Sequence, residues 1–503
     1  MPLSQLSPRP LWQHFQRLCE IPRPSGHEQA LRSNLIDWAT ARGFSADQDE
    51  AGNLLIRKPA TPGYENRCAV ILQGHLDMVA QKRKDSAHCF EKDPIQVRQV
   101  DGWVMANGTT LGADNGMGVA AALAVLECDD LVHGPLEALF TIEEESSMRG
   151  ALELRPHWLQ GRVLLNLDSE DRGDVYVGCA GGIDINVRAQ WPTLSLSPAA
   201  MSLFRIDVSG LRGGHSGLDI DKGRGNAIRI AARTLDAVSA LTPLHIITFE
   251  GGSLRNALPR DCVTIIAVPT AFAASLVKEI TVLSGLLLEE YGAVEPQLSL
   301  QVAPLESAED STYWQQALSQ QESIRFIRLM LAAPHGVERM SPDFHLVVAT
   351  SNNLGVMKLT NGHLRGCLLA RALRESELRA LAARIRAVFE LGGCEVSLDN
   401  GYPGWTPDPE SPVLGLFQTV HAHAFGDPAQ VKVIHAGLEC GIIGAKYPLL
   451  DMVSFGPIIR GAHSPDERVE IASVDAFWTL LCAVLTALAA WPADPAPRPA
   501  GRN

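Results

Sequence analysis

A histidine and an aspartate two residues apart, His75 and Asp77, follow the apolar run Ala69–Leu72 in the segment Gln73-Gly-His-Leu-Asp-Met-Val-Ala80. At the end of an extended segment, side chains two apart point the same way. An imidazole placed like this can bind a metal through one nitrogen while a carboxylate holds the other. More donors follow downstream: Asp114 in Leu-Gly-Ala-Asp-Asn-Gly, the run Glu143-Glu144-Glu145, Asp168 and Glu170 in Asn-Leu-Asp-Ser-Glu, and His463, Asp466 and Glu467 in Gly-Ala-His-Ser-Pro-Asp-Glu. Each lies at the end of an apolar run or in a glycine-containing turn. Imidazoles and carboxylates without cysteine suit a hydrolytic metal centre, zinc or a close relative. A lone His-x-Asp is more often ordinary buried structure than a ligand pair. Asp114, the acidic run and His463 together carry the metal reading. A two-metal site needs a bridging carboxylate, terminal ligands on each ion and a further carboxylate as general base. This set has enough groups for all three.

The elements that must position these residues read as an α/β sheet with helices on both faces. Helices are expected at Pro10–Cys19 and His27–Arg42, the second with Ser25 and Glu28 in a capping-box pattern and Gly43 as its stop. Strands are expected at Asn53–Arg57, Ala69–Gln73, Trp103–Ala106, Leu136–Thr141 and Val163–Leu167, with a small-residue helix over Gly116–Glu127. In such sheets ligands collect at strand ends. The pattern changes near residue 185 to an α+β block: strands Ile185–Arg188, Leu203–Val208, His245–Glu250 and Val263–Val268, with helices Ala227–Leu241 and Ala273–Tyr291. A second block repeats that order of elements, with helix Ile324–Leu331, strands Phe344–Ala349, Gly355–Leu359 and Arg365–Leu373, helix Glu375–Leu391 and strand Glu395–Leu398. The α/β pattern returns after Gly401 with Pro412–Phe425, Gln430–Ile434, Met452–Phe455 and Val474–Ala490. The expected plan is one catalytic domain, 1–185 and 400–491, interrupted by a lid domain over 186–399, with a disordered Pro- and Ala-rich tail over 492–503.

Composition bounds the function. A chain of 503 residues is too long for one ordinary core. A net charge of −14 with no Lys/Arg block excludes a nucleic-acid partner. No apolar run has the length of a membrane span without interruption, and the N-terminus lacks the basic start and apolar core of a signal peptide. Ten scattered cysteines without a CxxC pair fit a reduced, cytoplasmic setting.

Longer motifs carry a resemblance over residues 4 to 490: Gly-Thr-Thr-Leu-Gly-Ala-Asp-Asn-Gly (108–116), Gly-Cys-Ala-Gly-Gly-Ile-Asp (178–184), Gly-Gly-His-Ser-Gly (213–217), His-Ala-Gly-Leu-Glu-Cys-Gly (435–441) and His-Ser-Pro-Asp-Glu (463–467). In these the chain resembles the bacterial aminoacyl-histidine dipeptidases, or cytosolic non-specific dipeptidases, of the co-catalytic zinc peptidase superfamily. The resemblance implies two divalent ions, zinc first with cobalt or manganese as alternatives. His75, Asp114 and Asp168 would hold one, and Asp114, Glu145 and His463 the other. Asp77 would orient His75, and Glu144 would be the general base toward a metal-bridging water. The family shows Thr-Glu-Glu before a small residue, Gly and Met, whereas here Glu143-Glu144-Glu145-Ser-Ser-Met148 stands. Counting back from Met148 selects Glu144 and Glu145, while periodicity alone leaves Glu143 and Glu144 open.

The resemblance also assigns lid residues. His215 would stabilise the oxyanion, Asn256 and Arg371 would grip the substrate's C-terminal carboxylate, and Gly437 and Glu439 would wall the substrate. Arg371 in an apolar strand has the alternative of an internal salt bridge, and Glu439 that of a buried hydrogen-bond anchor. Cys440 is expected to be an inert core thiol, and His133, His157 and His421 to be structural or solvent-exposed. The peptide after Asp114 is expected to be cis, as in related enzymes. The implied activity is hydrolysis of unblocked dipeptides, including Xaa-His. A deacylase of N-acyl amino acids and a non-catalytic homologue are the alternatives. A homodimer is allowed, but the second lid block takes the place a partner's lid would fill, so His215 is expected to serve its own chain.

Overall fold

The computed structural model describes residues 3–305 and 313–493. Its contacts divide the chain into two units: residues 1–178, 405–433 and 438–503, and residues 179–404 with 434–437. The division falls a few residues from the expected boundaries at 185 and 400. It also gives the short segment 434–437, expected in the catalytic domain, to the inserted unit. Most of the tail read as disordered lies outside the described residues. Of it, Pro492 forms a bridge with Arg67.

The first unit is built on an eight-stranded mixed sheet in the order Ser45–Gln48, Leu54–Lys58, Leu136–Thr141, Val70–His75, Val163–Asn166, Asp451–Ser454, Asp174–Cys179, Gln430–Ile434. The four central strands, from Leu136–Thr141 to Asp451–Ser454, run parallel. Val70–His75, Leu136–Thr141 and Val163–Asn166 are buried along their whole length. Strands covered on both faces read as continuous apolar runs, which is why these were legible. Gly74 lets a helix approach closely: a Cβ there would meet Asn115 Oδ1 at 2.2 Å. That helix, Ala113–Glu127, has non-helical backbone at Asp114 and Asn115, so regular winding begins at the expected Gly116.

A small four-stranded sheet (Ile459–Arg460, Arg468–Glu470, Trp103–Ala106, Val97–Val100) holds the loop between its first two strands, which carries His463 and Glu467. The helix Ile471–Leu488 is apolar and long enough to cross a membrane, but it turns Val474, Phe477, Leu481, Val484 and Leu488 into the protein core. Asp475 interrupts its apolar run.

The capping-box reading is not realised. The second helix begins at Gln29, its N-cap Glu28 has helical backbone angles, and no side chain caps it. Ser25 instead donates to Asp77 Oδ2 at 2.7 Å, and Glu28 accepts from the Gly26 and Glu143 amides. Tertiary partners in the site outcompeted the local cap.

The second unit is a nine-stranded antiparallel sheet packed on the helices Ala227–Leu241, Ala273–Tyr291, Gln320–Ala332 and Glu375–Leu391 through one core. The two expected blocks are present but fused. The strands Met201–Ser209, His245–Gly251, Cys262–Pro269 and Ser299–Pro304, numbered 1 to 4, lie in the order 4-1-3-2. The second block has the same order when Gly181–Gln190 is its first strand, followed by Val348–Thr360, His363–Ala372 and Glu395–Tyr402. The first block is therefore inserted between the first strand and first helix of the second. The two second strands, His245–Gly251 and Val348–Thr360, pair antiparallel and join the blocks. The expected strands Phe344–Ala349 and Gly355–Leu359 are thus one strand, Val348–Thr360, with a bulge between Leu354 and Val356.

Candidate metal centre

The parallel strands of the first unit end at one level. His75 closes its strand in register with Thr141, just before the run Glu143–Glu145, and Gln73 is in register with Asn166, just before Asp168. Asp114 enters from the irregular turn before its helix, and His463 from the hairpin loop of the small sheet. Side chains from five sequence-distant segments therefore converge at the C-terminal edge of the sheet.

His75 Nε2 lies 3.1 Å from Asp114 Oδ1, 3.4 Å from Asp168 Oδ1 and 4.0 Å from Glu144 Oε2. His463 Nε2 lies 2.9 Å from Glu145 Oε2 and 3.3 Å from Asp114 Oδ2. Asp114 thus turns one oxygen to each imidazole, as a bridging carboxylate does. Three triads place ligand atoms within 4.8 Å of one another: His75/Asp114/Asp168, Asp114/Glu145/His463 and His75/Glu144/Glu145. The first two are the expected ligand sets. The third puts Glu144 within the same radius.

The surroundings fit cations. Among the described residues Asp168 Oδ1 and Glu145 Oε1 are buried without a hydrogen-bond partner, and buried polar atoms are rarely left so. Burial, with Asp168, Glu145 and Glu439 nearby, pushes the Glu144 carboxyl well above its usual range. Burial, then Asp114 and Glu439, raises Asp168 to about 7. Burial would lower the His75 pKa, but Asp168, Asp114 and Asp77 override it and raise it well above normal. Hydrogen bonds to Asp114 and Glu145 raise His463 to about 11. So many carboxylates around two imidazoles are crowded with negative charge, which divalent ions relieve. The donors are oxygen and imidazole nitrogen with no thiolate, the set for zinc, manganese or cobalt.

Asp77 is fully buried and does two jobs. Its Oδ1 stands 3.4 Å from His75 Nδ1, and its carboxylate accepts the amides of Glu144 at 3.0 Å and Glu145 at 3.2 Å. It fixes both the imidazole and the acidic run. Glu143 is turned aside: its carboxylate pairs with Arg149 at 2.5 Å and its φ is 51°. The Asp114–Asn115 peptide is cis, as expected.

Two supporting residues had no role assigned from sequence. Buried Arg23 donates to the carbonyls of Leu76 at 2.8 Å, Asp77 at 3.0 Å and Gly112 at 2.5 Å. It ties the His75–Asp77 turn to the Asp114 turn. Gly112 has φ 71°, and a Cβ there would meet Arg23 Nη2 at 2.6 Å. Glu467 accepts the amides of Leu111, Gly112, Ala113 and Asp114 at 2.7, 2.9, 2.7 and 3.2 Å. The motif around Glu467 was visible, but its partners are backbone amides about 355 residues away, which no spacing rule exposes.

Glu439 Oε2 accepts from Gln73 at 2.7 Å and Thr141 at 2.6 Å. Its carboxylate is therefore the buried anchor of the two alternatives, and burial raises its pKa to about 7. Cys440 is buried, and none of the ten cysteines, all among the described residues, is in a disulfide. His133 and His421 are buried with ring nitrogens on the carbonyls of Gly134 and Asp427, away from the ligand triads.

The remaining sequence-selected residues lie in the second unit, Gly437 among them. Arg371 is buried on strand His363–Ala372. Its neighbours Ala370 and Ala372 face the helix-side core, so it points to the other face of the sheet. It donates to the Tyr402 hydroxyl at 2.7 Å and to Ser216 Oγ at 3.3 Å. No carboxylate pairs with it among the described ion pairs, so the internal salt bridge is not what holds it. His215 Nδ1 accepts the amides of Gly217 and Leu218, both at 3.1 Å. A neutral ring then carries its proton on Nε2. Burial, helped by Arg371, lowers the His215 pKa to about 4, so the ring is neutral at physiological pH. Asn256 is exposed on a loop whose neighbouring carbonyls, Arg255 and Ala257, are held by Asn353 at 2.8 Å each.

The profile of Peptidase family M20/M25/M40 matches residues 71–487. The chain is 44% identical over 484 residues to the cytosol non-specific dipeptidase of Escherichia coli (strain K12), spanning 96% of this chain and 98% of that one. It matches the crystal structure of aminoacylhistidine dipeptidase from Vibrio alginolyticus with a TM-score of 0.89 at 42% identity, over 98% of this chain and 99% of that one. A tripeptidase from Staphylococcus aureus shares the fold at a TM-score of 0.55 and 18% identity, over 96% and 99% of the two chains. The two ligand triads that share Asp114 would suit two divalent ions. The chain belongs to Peptidase family M20/M25/M40 and is a metallo-dipeptidase of that family.

Proposed function

We propose that the enzyme hydrolyses unblocked dipeptides, including Xaa-His substrates, at a centre for two divalent ions, with zinc first and cobalt or manganese as alternatives. The observation that carries this reading is Asp114, one oxygen toward each imidazole, with Glu144 beside the pair. His75, Asp114 and Asp168 would hold one ion, and Asp114, Glu145 and His463 the other. The ions, when bound, polarise the scissile carbonyl and make water acidic near neutral pH.

Glu144 takes the proton of the attacking water and returns it to the leaving amine. Its buried, raised carboxyl suits a group that must hold that proton between the two steps. Asp77 keeps His75 in its tautomer and holds the amides of Glu144 and Glu145, which sets the register of base and ligand. His215, with its proton on Nε2, donates to the developing oxyanion. Arg371, buried without an acidic partner among the described residues and braced by Tyr402 and Ser216, takes the substrate's terminal carboxylate together with Asn256. Gly437 lines the substrate, and Glu439 braces the strand ends beneath it. Ten cysteines without a disulfide and a relative named for the cytosol support a cytoplasmic enzyme.

A panel of free and N-acetylated dipeptides, including β-alanyl-histidine, tests the reading on protein supplied with zinc, manganese or cobalt. Hydrolysis confined to free dipeptides supports it. Turnover of the acetylated set alone would make the enzyme a deacylase.

A further inference from the structure

Glu170 stands two residues beyond Asp168, after the strand Val163–Asn166 has ended. The residue between them fixes which way each points. Ser169 is buried, and its hydroxyl lies 2.8 Å from that of Ser454 on the neighbouring strand. Gly456 lets the chain pass this closely, since a Cβ there would meet the Ser169 carbonyl at 1.8 Å. With Ser169 turned toward the sheet, the alternation of an extended segment brings Glu170 back to the side of Asp168. The hairpin that carries His463 pins the Glu170 carbonyl, through the Ile459 amide at 3.1 Å and Arg460 Nη1 at 2.9 Å.

The half-buried carboxylate of Glu170 has no hydrogen bond or ion pair among the described residues, although a cation passes beside it. Arg460 donates to the Glu170 carbonyl but pairs with the carboxylate of Asp171, at 2.8 Å. Burial, then Asp114 and Asp168, raises the Glu170 carboxyl to about 8, and His463 acts the other way. A carboxyl in such a place lacks a cation. The ligand triads do not include it. The other carboxylates of the site have their tasks. Asp114, Glu145 and Asp168 would be committed to the ions and Glu144 to the proton. Asp77, Glu439 and Glu467 are taken up by hydrogen bonds of the fold. Glu170 is what remains.

We propose that Glu170 takes the N-terminal ammonium of the substrate and so sets the requirement for an unblocked N-terminus. This rests on the proposal that the substrates are unblocked dipeptides. Such a dipeptide carries its ammonium close to the scissile carbonyl, one carbon away in alanyl-histidine and two in β-alanyl-histidine. A carbonyl held at the ligand cluster therefore delivers a positive charge to the cluster's edge, where Glu170 stands. A charged donor on a carboxylate makes a strong, short hydrogen bond. An N-acyl substrate brings a neutral amide instead and leaves the half-buried carboxylate without its counter-charge. Selection for the free amine would thus come from the cost of an unpaired group as much as from attraction.

The test compares alanyl-histidine with propionyl-histidine, which lacks only the ammonium. Zinc-loaded Glu144→Gln protein, slow to turn over either, lets calorimetry read binding directly. Adding Glu170→Gln should weaken alanyl-histidine about tenfold to a hundredfold, toward the affinity of propionyl-histidine, which itself should change by less than about threefold. In the otherwise wild-type chain, kcat/KM for alanyl-histidine should fall by the same factor. Both zinc affinities should stay within about threefold, whereas a residue that supports the ions would cost about tenfold or more. Glu170→Asp draws the carboxylate back by one methylene and should shift preference from alanyl-histidine toward β-alanyl-histidine. Unchanged binding of alanyl-histidine, equal losses for the two ligands, or a loss of zinc affinity would each overturn the proposal and leave the dipeptidase reading in place. A wild type that hydrolyses propionyl-histidine in preference to alanyl-histidine would overturn both.

Discussion

Glu467→Gln tests how the bridging carboxylate is held in place. Glu467 accepts four backbone amides, from Leu111 to Asp114, at 2.7 to 3.2 Å, two on each oxygen. Glutamine keeps one acceptor oxygen and turns an NH2 group toward the other two amides. Two buried donors are then left without partners, and each costs about 1–3 kcal/mol. The total is about 2–6 kcal/mol. Burial raises the Glu467 carboxyl to about 7, so part of its charge is already lost near neutral pH and the lower end is the better figure.

That loss is divided between fold stability and metal affinity. If the turn relaxes, Asp114 moves, and Asp114 belongs to both ligand sets. A loss of about 2 kcal/mol spent wholly on binding weakens it about 30-fold. The assay is calorimetric titration of metal-stripped protein with zinc, alongside thermal melts. Glu467 shares a loop with His463, so His463→Ala is the control. It should weaken one ion, whereas Glu467→Gln should weaken both. Two zinc affinities within threefold of wild type and an unchanged melting temperature would refute the reasoning.

Four further outcomes are expected. Glu144→Gln should keep both ions but lower turnover by about two to four orders of magnitude, Glu145→Gln should also lose metal affinity, and Glu143→Gln, which only breaks the Arg149 pair, should do neither. Steady-state rates with metal analysis separate the three, and a catalytic defect in Glu143→Gln alone would shift the register by one. Arg371→Lys should raise KM for dipeptides about tenfold to a hundredfold through lost charged hydrogen bonds, while His215→Ala should act mainly on kcat. Mixed His215→Ala and Glu144→Gln chains should recover no activity, and recovery would mean the histidine is donated between chains. After chelation, Asp168 and Glu439, with folded pKa values near 7 against unfolded values near 4, bind more protons folded than unfolded. Their stabilising contribution is full below about pH 4 and is lost as pH rises toward 7. The metal-free melting temperature should therefore fall over that window, and zinc should abolish the fall. A melting temperature that rises over the same range would contradict the crowding of carboxylates described for this site.

The candidate ligands were legible as a cluster because chemistry restricts such residues to few types and topology restricts them to strand ends. His75, Asp114, Glu145, Asp168 and His463 each terminate an apolar run or sit in a glycine turn, and a parallel sheet brings such ends together. The register of the acidic run was not legible from periodicity. It is set by Asp77 accepting the amides of Glu144 and Glu145 and by Arg149 drawing Glu143 away. Ser25 shows the opposite failure. Its spacing to Glu28 satisfied a local rule, but its hydroxyl went to Asp77. Residues whose partners are distant backbone atoms, such as Arg23 and Glu467, leave no periodic trace at all.

The lid raises the same issue at the level of topology. Its helices and most strands followed from apolar spacing, and the repetition of element order was visible. Its nesting was not, because strand Gly181–Gln190 belongs by pairing to the block that begins about 130 residues later. Sequence order suggests two consecutive blocks, whereas hydrogen bonding makes one the insertion in the other. The consequence is functional. Strand His363–Ala372, which carries Arg371, is paired on one side by Gly181–Gln190 and on the other by Val348–Thr360. Arg371 is therefore held by the first and the last parts of the lid at once, and Tyr402 from the final strand fixes its guanidinium. The strand that carries Arg371 is interior to its block, where a buried cation can be kept in one orientation.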